Sequence, residues 1–131
     1  MTAKVQFTVP LVPPSVNHYK VRYRNGNTVV SKEASAFKDA VAIYLRGQYV
    51  LAERFALTIR ITLGQKDRGD WDNFPKLVGD ALAAAGAFRK SKGKHRGELL
   101  SDAHVKDGRV ILDCDTRPAQ GFTEITIEAL G

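Results

Sequence analysis

The sequence predicts a small mixed α/β (α+β) domain: strand, helix, strand, helix, strand, strand, with a mixed sheet packed by two helices. Three observations predict it. Apolar and polar residues alternate over 4–9 and 55–63, the period of a half-buried strand. Two further segments carry apolar residues at spacings of three and four, the stripe of an amphipathic helix. Finally, 131 residues without an internal repeat or a long linker are the size of one domain, so 1–131 is read as a single unit.

Each element has its own signal. Val5, Phe7 and Val9 share one face of the first strand, and Pro10, Pro13 and Pro14 end it. Asn25-Gly26-Asn27 is a turn signal that closes a short hairpin through Val29 and Val30. Ser31 is a good N-cap for a helix running to about Tyr49, with Ala34, Phe37, Val41, Tyr44, Leu45 and Gln48 on its stripe. Phe55, Leu57, Ile59, Ile61 and Leu63 point inward from the next strand. A second helix carries Phe74, Leu77, Val78, Ala81, Leu82 and Ala85 and ends near Gly86. After a basic loop over 89–98, strands are expected from His104 to Cys114 and from Phe122 to Ala129.

Composition narrows the class. Lys and Arg number 20 against 14 Asp and Glu, a formal net charge of +6, and the pI is near 9.6. That excess points to a polyanionic partner, with nucleic acid ahead of an anionic membrane surface. Cys114 is the single cysteine, and no Cys/His cluster has zinc spacing, so a reducing compartment is expected. Neither a signal peptide nor an apolar run of membrane-spanning length is present, which makes a cytoplasmic protein the expectation. Phosphate-binding and dinucleotide glycine motifs, His-Glu-x-x-His and G-x-S-x-G are all missing, so no nucleotide cofactor is expected.

The chemistry concentrates in Asp70-Trp71-Asp72-Asn73-Phe74-Pro75-Lys76. A helix accepts proline in its first turn only, so Pro75 sets the helix start at Asp72 or Asn73 and leaves Asp70 to Asp72 extended. In an extended segment, residues two apart face the same side. Two carboxylates then converge at a helix N-terminus, and a divalent cation relieves their repulsion. Mg²⁺ suits one or two carboxylates with water and substrate phosphate, and Lys76 braces a carboxylate or faces that phosphate. On these residues alone, Asp72 serves equally well as a helix cap, with Asp72, Lys76 and Asp80 forming a solvated ladder.

Asp102, just before a strand, either completes an oxygen-rich metal site or is an ordinary turn aspartate. His104, His18 and His95 are poor candidates, since hard Mg²⁺ prefers oxygen. The basic loop, with Arg89, Lys90, Lys92, Lys94 and Arg96, reads either as a phosphate-binding arm or as a solvated surface segment. Lys20, Arg22 and Arg24 form a second row at spacing two, and Tyr19 and Trp71 are rings able to stack on an unpaired base.

The pattern Asp70-x-Asp72-Asn73-x-x-Lys76-x-x-x-Asp80-Ala81-Leu82, then Ala85-Gly86 and Asp102-x-x-Val105, resembles the RusA family of Holliday-junction resolvases. Pro13-Pro14-Ser15-x-Asn17 is similar to that family's opening motif. The resemblance implies a RusA-like homodimer that binds four-way DNA junctions and makes paired symmetric nicks in recombination and repair. It also implies Mg²⁺ as cofactor, with Mn²⁺ as a substitute, in a prokaryotic or phage-type setting. Asp70, Asp72 and Asp102 would then bind metal, Lys76 would be catalytic, and Asn73 and Asp80 would support them. DNA contacts are expected from Asn17, Lys20, Arg22, Arg24, Arg68, Asn73 and the five basic residues of 89–98. Only Arg68 precedes Gly69-Asp70 where that family often has several arginines, and 89–98 looks like an insertion. Two rivals remain: a basic DNA-binding module that cuts nothing, and a nuclease for other branched DNA.

Overall fold

The structure, a computed structural model, describes residues 4–14, 20–22, 28–30, 32–67 and 74–130. In chain order these form β1 (Lys4–Val9), β2 (Lys20–Arg22), β3 (Thr28–Val30), α1 (Lys32–Leu45), β4 (Val50–Leu51), β5 (Phe55–Thr62), α2 (Phe74–Ala84), β6 (Phe88–Arg89), a 3₁₀ turn (Asp102–His104), β7 (Val105–Asp113) and β8 (Phe122–Ala129). The main sheet has the order β1-β8-β5-β7. β8 runs antiparallel to both of its neighbours, while β5 and β7 are parallel. A parallel pair needs a crossover, and α2 supplies it between β5 and β7.

Register explains the layering. Val5, Ile127 and Leu57 face one another across three strands, as do Phe7, Ile125 and Ile59. Strand side chains alternate between faces, so these rows lie on one side and Thr8, Glu124 and Arg60 on the other. The apolar rows form one core with Ala34, Phe37, Val41 and Leu45 of α1 and Leu77, Val78, Ala81 and Leu82 of α2. Burial of each large side chain contributes roughly 2 kcal/mol. The expected strands 4–9 and 122–129 match residue for residue, and the expected hairpin forms as β2 and β3, with Arg22 opposite Thr28.

Two expectations need correction, and two short strands are new. α1 ends at Leu45 rather than near Tyr49, because Arg46 and Gly47 adopt left-handed φ values of 56° and 71°. Gln48 therefore lies outside the helix, with its N–H and Nε2 donating to the Leu45 carbonyl at 3.1 and 3.0 Å, and Tyr44 is half-exposed. His104 closes the 3₁₀ turn, and β7 begins one residue later. The two-residue strands β4 and β6 were not foreseen; they pair in parallel and link the chain after α1 to the chain after α2. The expected end of α2 is met closely. Gly86, at φ 79°, donates to the Ala83 carbonyl, and the following Ala87 N–H donates to that of Leu82. This double closure requires a residue at positive φ, which glycine adopts freely.

Candidate functional site

Ser101 starts the 3₁₀ turn: its backbone is extended, and its hydroxyl accepts from the Ala103 N–H at 3.3 Å. The turn sets Asp102 against the middle of α2. The helix carries Gly79 there, and a Cβ at that position would stand 2.9 Å from Asp102 Oδ2. Glycine inside a helix costs about 1 kcal/mol relative to alanine, so its presence marks the close approach of another group. Sequence reading overlooked Gly79, although a mid-helix glycine was the available signal.

Asp102 and Lys76, one helical turn before Gly79, line the same cleft of about 350 Å³ between α2 and the edge strand β7. Leu57 and Ile59 also line it, together with Val105, Gly108, Arg109 and Val110. Lys76 is exposed, whereas Asp102 is half-buried. Among the described residues the Asp102 carboxylate has no hydrogen-bond partner, and no group of three His, Cys, Asp or Glu side chains is placed to hold a metal. A half-buried, oxygen-donating carboxylate cradled by a missing Cβ suits a hard cation such as Mg²⁺. Arg109, 3.7 Å from Asp107 and largely exposed, is a second cleft cation that sequence reading did not single out. Asp80 is half-buried on α2.

The other expected metal ligands, Asp70 and Asp72, lie outside the described residues, as do Asn17, Tyr19, Arg24, Arg68, Trp71 and Asn73. Lys20 and Arg22 fall on β2, but their side chains lie outside the described part. The residues leading toward Asp70 and Asp72 are tightly held. Arg117 Nη1 donates to the carbonyls of Gly64 (2.9 Å) and Asp67, and its Nε donates to Cys114 O (3.0 Å). Asp67 Oδ2 accepts from the Gly64 N–H at 2.7 Å, and the Gln65 N–H donates to Pro118 O at 2.9 Å.

The basic segment 89–98 has defined structure. Arg89 and Leu99 form an antiparallel bridge, Lys90 and Glu98 pair through the Lys90 N–H at 2.9 Å, and the Gly97 N–H donates to Lys90 O at 2.7 Å. Arg89 is engaged within the fold: its guanidinium lies 4.4 Å over the Tyr49 ring and its Nε donates to Gly86 O. Lys90 reaches Glu53 at 3.3 Å, while Lys92, Lys94 and Arg96 are exposed. The Ser91 amide is the main reason the Glu53 carboxyl titrates below its ordinary range, helped by Ser91 Oγ and Lys90. His104 Nδ1 faces the Glu53 carbonyl at 3.4 Å, a structural contact away from the cleft.

No helix among the described residues is long and apolar enough to cross a membrane. Residues 10–92 match the family model described as Endodeoxyribonuclease RusA. Two proteins named crossover junction endodeoxyribonuclease RusA, from Enterobacteria phage 82 and Escherichia coli (strain K12), are each 34% identical over 122 residues, covering 91% of this chain and 90% of their own length. A third of that name, from Shigella sonnei (strain Ss046), is 32% identical over the same span. The matched residues include the segment from Asp70 to Lys76, and the family model together with these identities establishes that this chain belongs to the RusA family of endodeoxyribonucleases.

Proposed function

We infer that this protein is a Mg²⁺-dependent endodeoxyribonuclease that resolves four-way DNA junctions, a reading supported by relatives named crossover junction endodeoxyribonuclease. The observation that carries this reading is the shared cleft of Lys76 and Asp102, with Gly79 leaving room for the carboxylate. Asp70, Asp72 and Asp102 would hold the ion, with Mn²⁺ as a substitute. Bound there, Mg²⁺ supplies charge relief on the phosphate and activation of the attacking water. Lys76 places a positive charge where negative charge builds up during phosphodiester cleavage, and the half-closed cleft strengthens that effect. Paired, symmetric nicks call for two equivalent sites, which a twofold homodimer presents to two strands of one junction. A role in recombination and repair in a prokaryotic or phage cytoplasm follows from that substrate.

The test is cleavage of a synthetic four-way junction with Mg²⁺ and with EDTA, beside linear duplex and flap DNA. Paired nicks with Mg²⁺ alone are expected. Asp72→Asn should cut at least 100-fold more slowly while still binding the junction, since it removes negative charge facing phosphate. Tight binding without cleavage under any divalent ion would make the protein a binding module. Equal cutting of flaps would widen the substrate class, and normal cutting by Asp72→Asn would remove that residue from the metal site.

A further inference from the structure

Between β6 and the 3₁₀ turn the chain makes an excursion that the core does not need. Residues 90–98 contain Lys90, Lys92, Lys94 and Arg96 against the single acid Glu98, and none of them is buried. Crowded like charge on an exposed segment ordinarily leaves it disordered. Here it forms a hairpin with fixed register, helped at its tip by Gly93 and Gly97 at φ 82° and 89°. What seats it lies far away in sequence. The Glu53 carboxylate accepts from the Ser91 N–H at 3.0 Å, from Ser91 Oγ at 3.1 Å and from Lys90 Nζ at 3.3 Å.

We propose that residues 90–98 form a preformed wing that grips the phosphate backbone of a duplex DNA arm beside the cleavage cleft, with Glu53 as the positioning residue that seats it. The identity of the partner as DNA rests on the function proposed above. Residues 90–98 contain no Phe, Tyr or Trp, and their one ring, His95, lies 3.4 Å from Glu98, so the hairpin offers chiefly cations rather than a platform for stacking unpaired bases. Lysines on a short ordered hairpin suit phosphates, and because folding has already ordered the wing, binding does not bear that entropy. The return strand reaches Leu99 and Leu100 immediately before Ser101 and Asp102. At about 3.3 Å per residue, the tip stands within roughly 25 Å of Asp102, under one turn of duplex. The family match ends at residue 92, inside the hairpin, so the wing is argued from this chain's own geometry.

Glu53 makes the proposal easy to break, because plain electrostatics predicts the opposite sign. Deleting an acid from a DNA-facing surface should strengthen binding, whether glutamine or alanine replaces it. If Glu53 seats the wing, Glu53→Ala weakens binding to a 30-base-pair duplex and to a four-way junction by about threefold to tenfold in EDTA. Glu53→Gln keeps an acceptor for the Ser91 N–H and binds as tightly as the wild type or tighter. The double change Lys92→Gln/Lys94→Gln lowers the salt slope by about two units, near 0.9 for each phosphate that is no longer neutralised. DNA should also shield Lys92 and Lys94 from trypsin, a readout that does not depend on any variant folding.

Equal or tighter binding by Glu53→Ala, an unchanged slope in the lysine pair, or unshielded lysines would each overturn the wing. The assay reads binding without metal, so it stands apart from cleavage. A wild type that binds through the wing yet cuts nothing sinks the nuclease reading alone.

Discussion

The two ends of the β5–β7 pair are each tied down by one charged side chain, and the two ties work oppositely. At the end where the strands begin, the Glu53 carboxylate gathers N–H and O–H donors from the 90–98 hairpin. Where the strands finish, the Arg117 guanidinium gathers carbonyls from the 64–67 loop. A carboxylate that collects donors leaves the hairpin's remaining cations facing outward, where a polyanion can meet them. A guanidinium that collects carbonyls fixes main chain, and the main chain it fixes leads straight into Asp70 and Asp72. The ends differ in slack as well. A Cβ at Gly93 or Gly97 would meet nothing within 4 Å, whereas one at Gly121 would overlap Asp67 Oδ2 and Val12 and stand 2.7 Å from Gly64 N. The comparison teaches that the end leading toward Asp70 and Asp72 is packed without tolerance, while the hairpin tip beyond the other end, where Asp102 also lies, is loosely surrounded. Placement to fractions of an ångström matters for reacting groups and much less for phosphate contacts.

The sharpest way to break this contrast is Gly121→Ala. Overlap with two side chains and a backbone amide should destabilise the fold by about 3 kcal/mol, read from urea denaturation. A loss below about 1 kcal/mol would show that the clasped end has room after all. Arg117→Ala comes next. It removes the guanidinium donor from the Asp67 carbonyl and leaves the Gly64 carbonyl only the Asp67 N–H at 3.2 Å, at about 2 kcal/mol. It should also raise acrylamide quenching of Trp71, the only tryptophan in the sequence and a member of the segment between the two motif aspartates. Arg117→Lys should recover part of both effects; quenching unchanged in Arg117→Ala would uncouple the clasp from that segment.

The smallest effect belongs to Asp113, whose carboxylate holds the turn that presents Arg117. It accepts from Thr116 Oγ1 at 2.6 Å and from the Thr116 and Asp115 N–H groups, and these bonds lower its pKa to about 2 from an ordinary 3.8. A depressed folded pKa stabilises the protein above the unfolded value. That contribution is therefore complete above about pH 4 and lost as pH falls toward 2. Thermal melts from pH 6 to 2 should show Asp113→Asn with a shallower decline over that window, the two curves meeting near pH 2. Parallel curves throughout would remove the turn from the clasp.

Much of this was legible in the sequence because local rules govern it. Alternation set the bounds of β1 and β5 to within a residue, the strand expected over 122–129 coincides with β8, and Gly86 marked the end of α2. β4 and β6 were illegible because two residues carry no period. The order of the basic hairpin was illegible for a different reason: Glu53 lies 37 and 38 residues from the groups it holds, and no local pattern announces such a contact. At the site, the motif singled out Lys76 and Asp102, and the structure adds that both line one cleft, where the bare backbone of Gly79 lets Asp102 come close to α2. Arg117 escaped notice because an arginine in a turn is ordinary until its acceptors are seen. Its φ of 46°, uncommon for a side-chain-bearing residue, is the mark it leaves on the backbone.

The position of β8 has a consequence for the order in which the molecule comes into being. Among the described residues, β8 follows every other strand yet sits inside the sheet, between β1 and β5. On the ribosome, β1 emerges first and has no partner in the main sheet until β8 is released. β5, α2 and β7 can assemble beforehand, but with one side of β5 unpaired. Long-range pairing of this kind is slow to form, and here it also delays maturity. A nascent chain already carrying every residue of the cleft still lacks the sheet that holds it, and the capacity to cut arrives with the last strand.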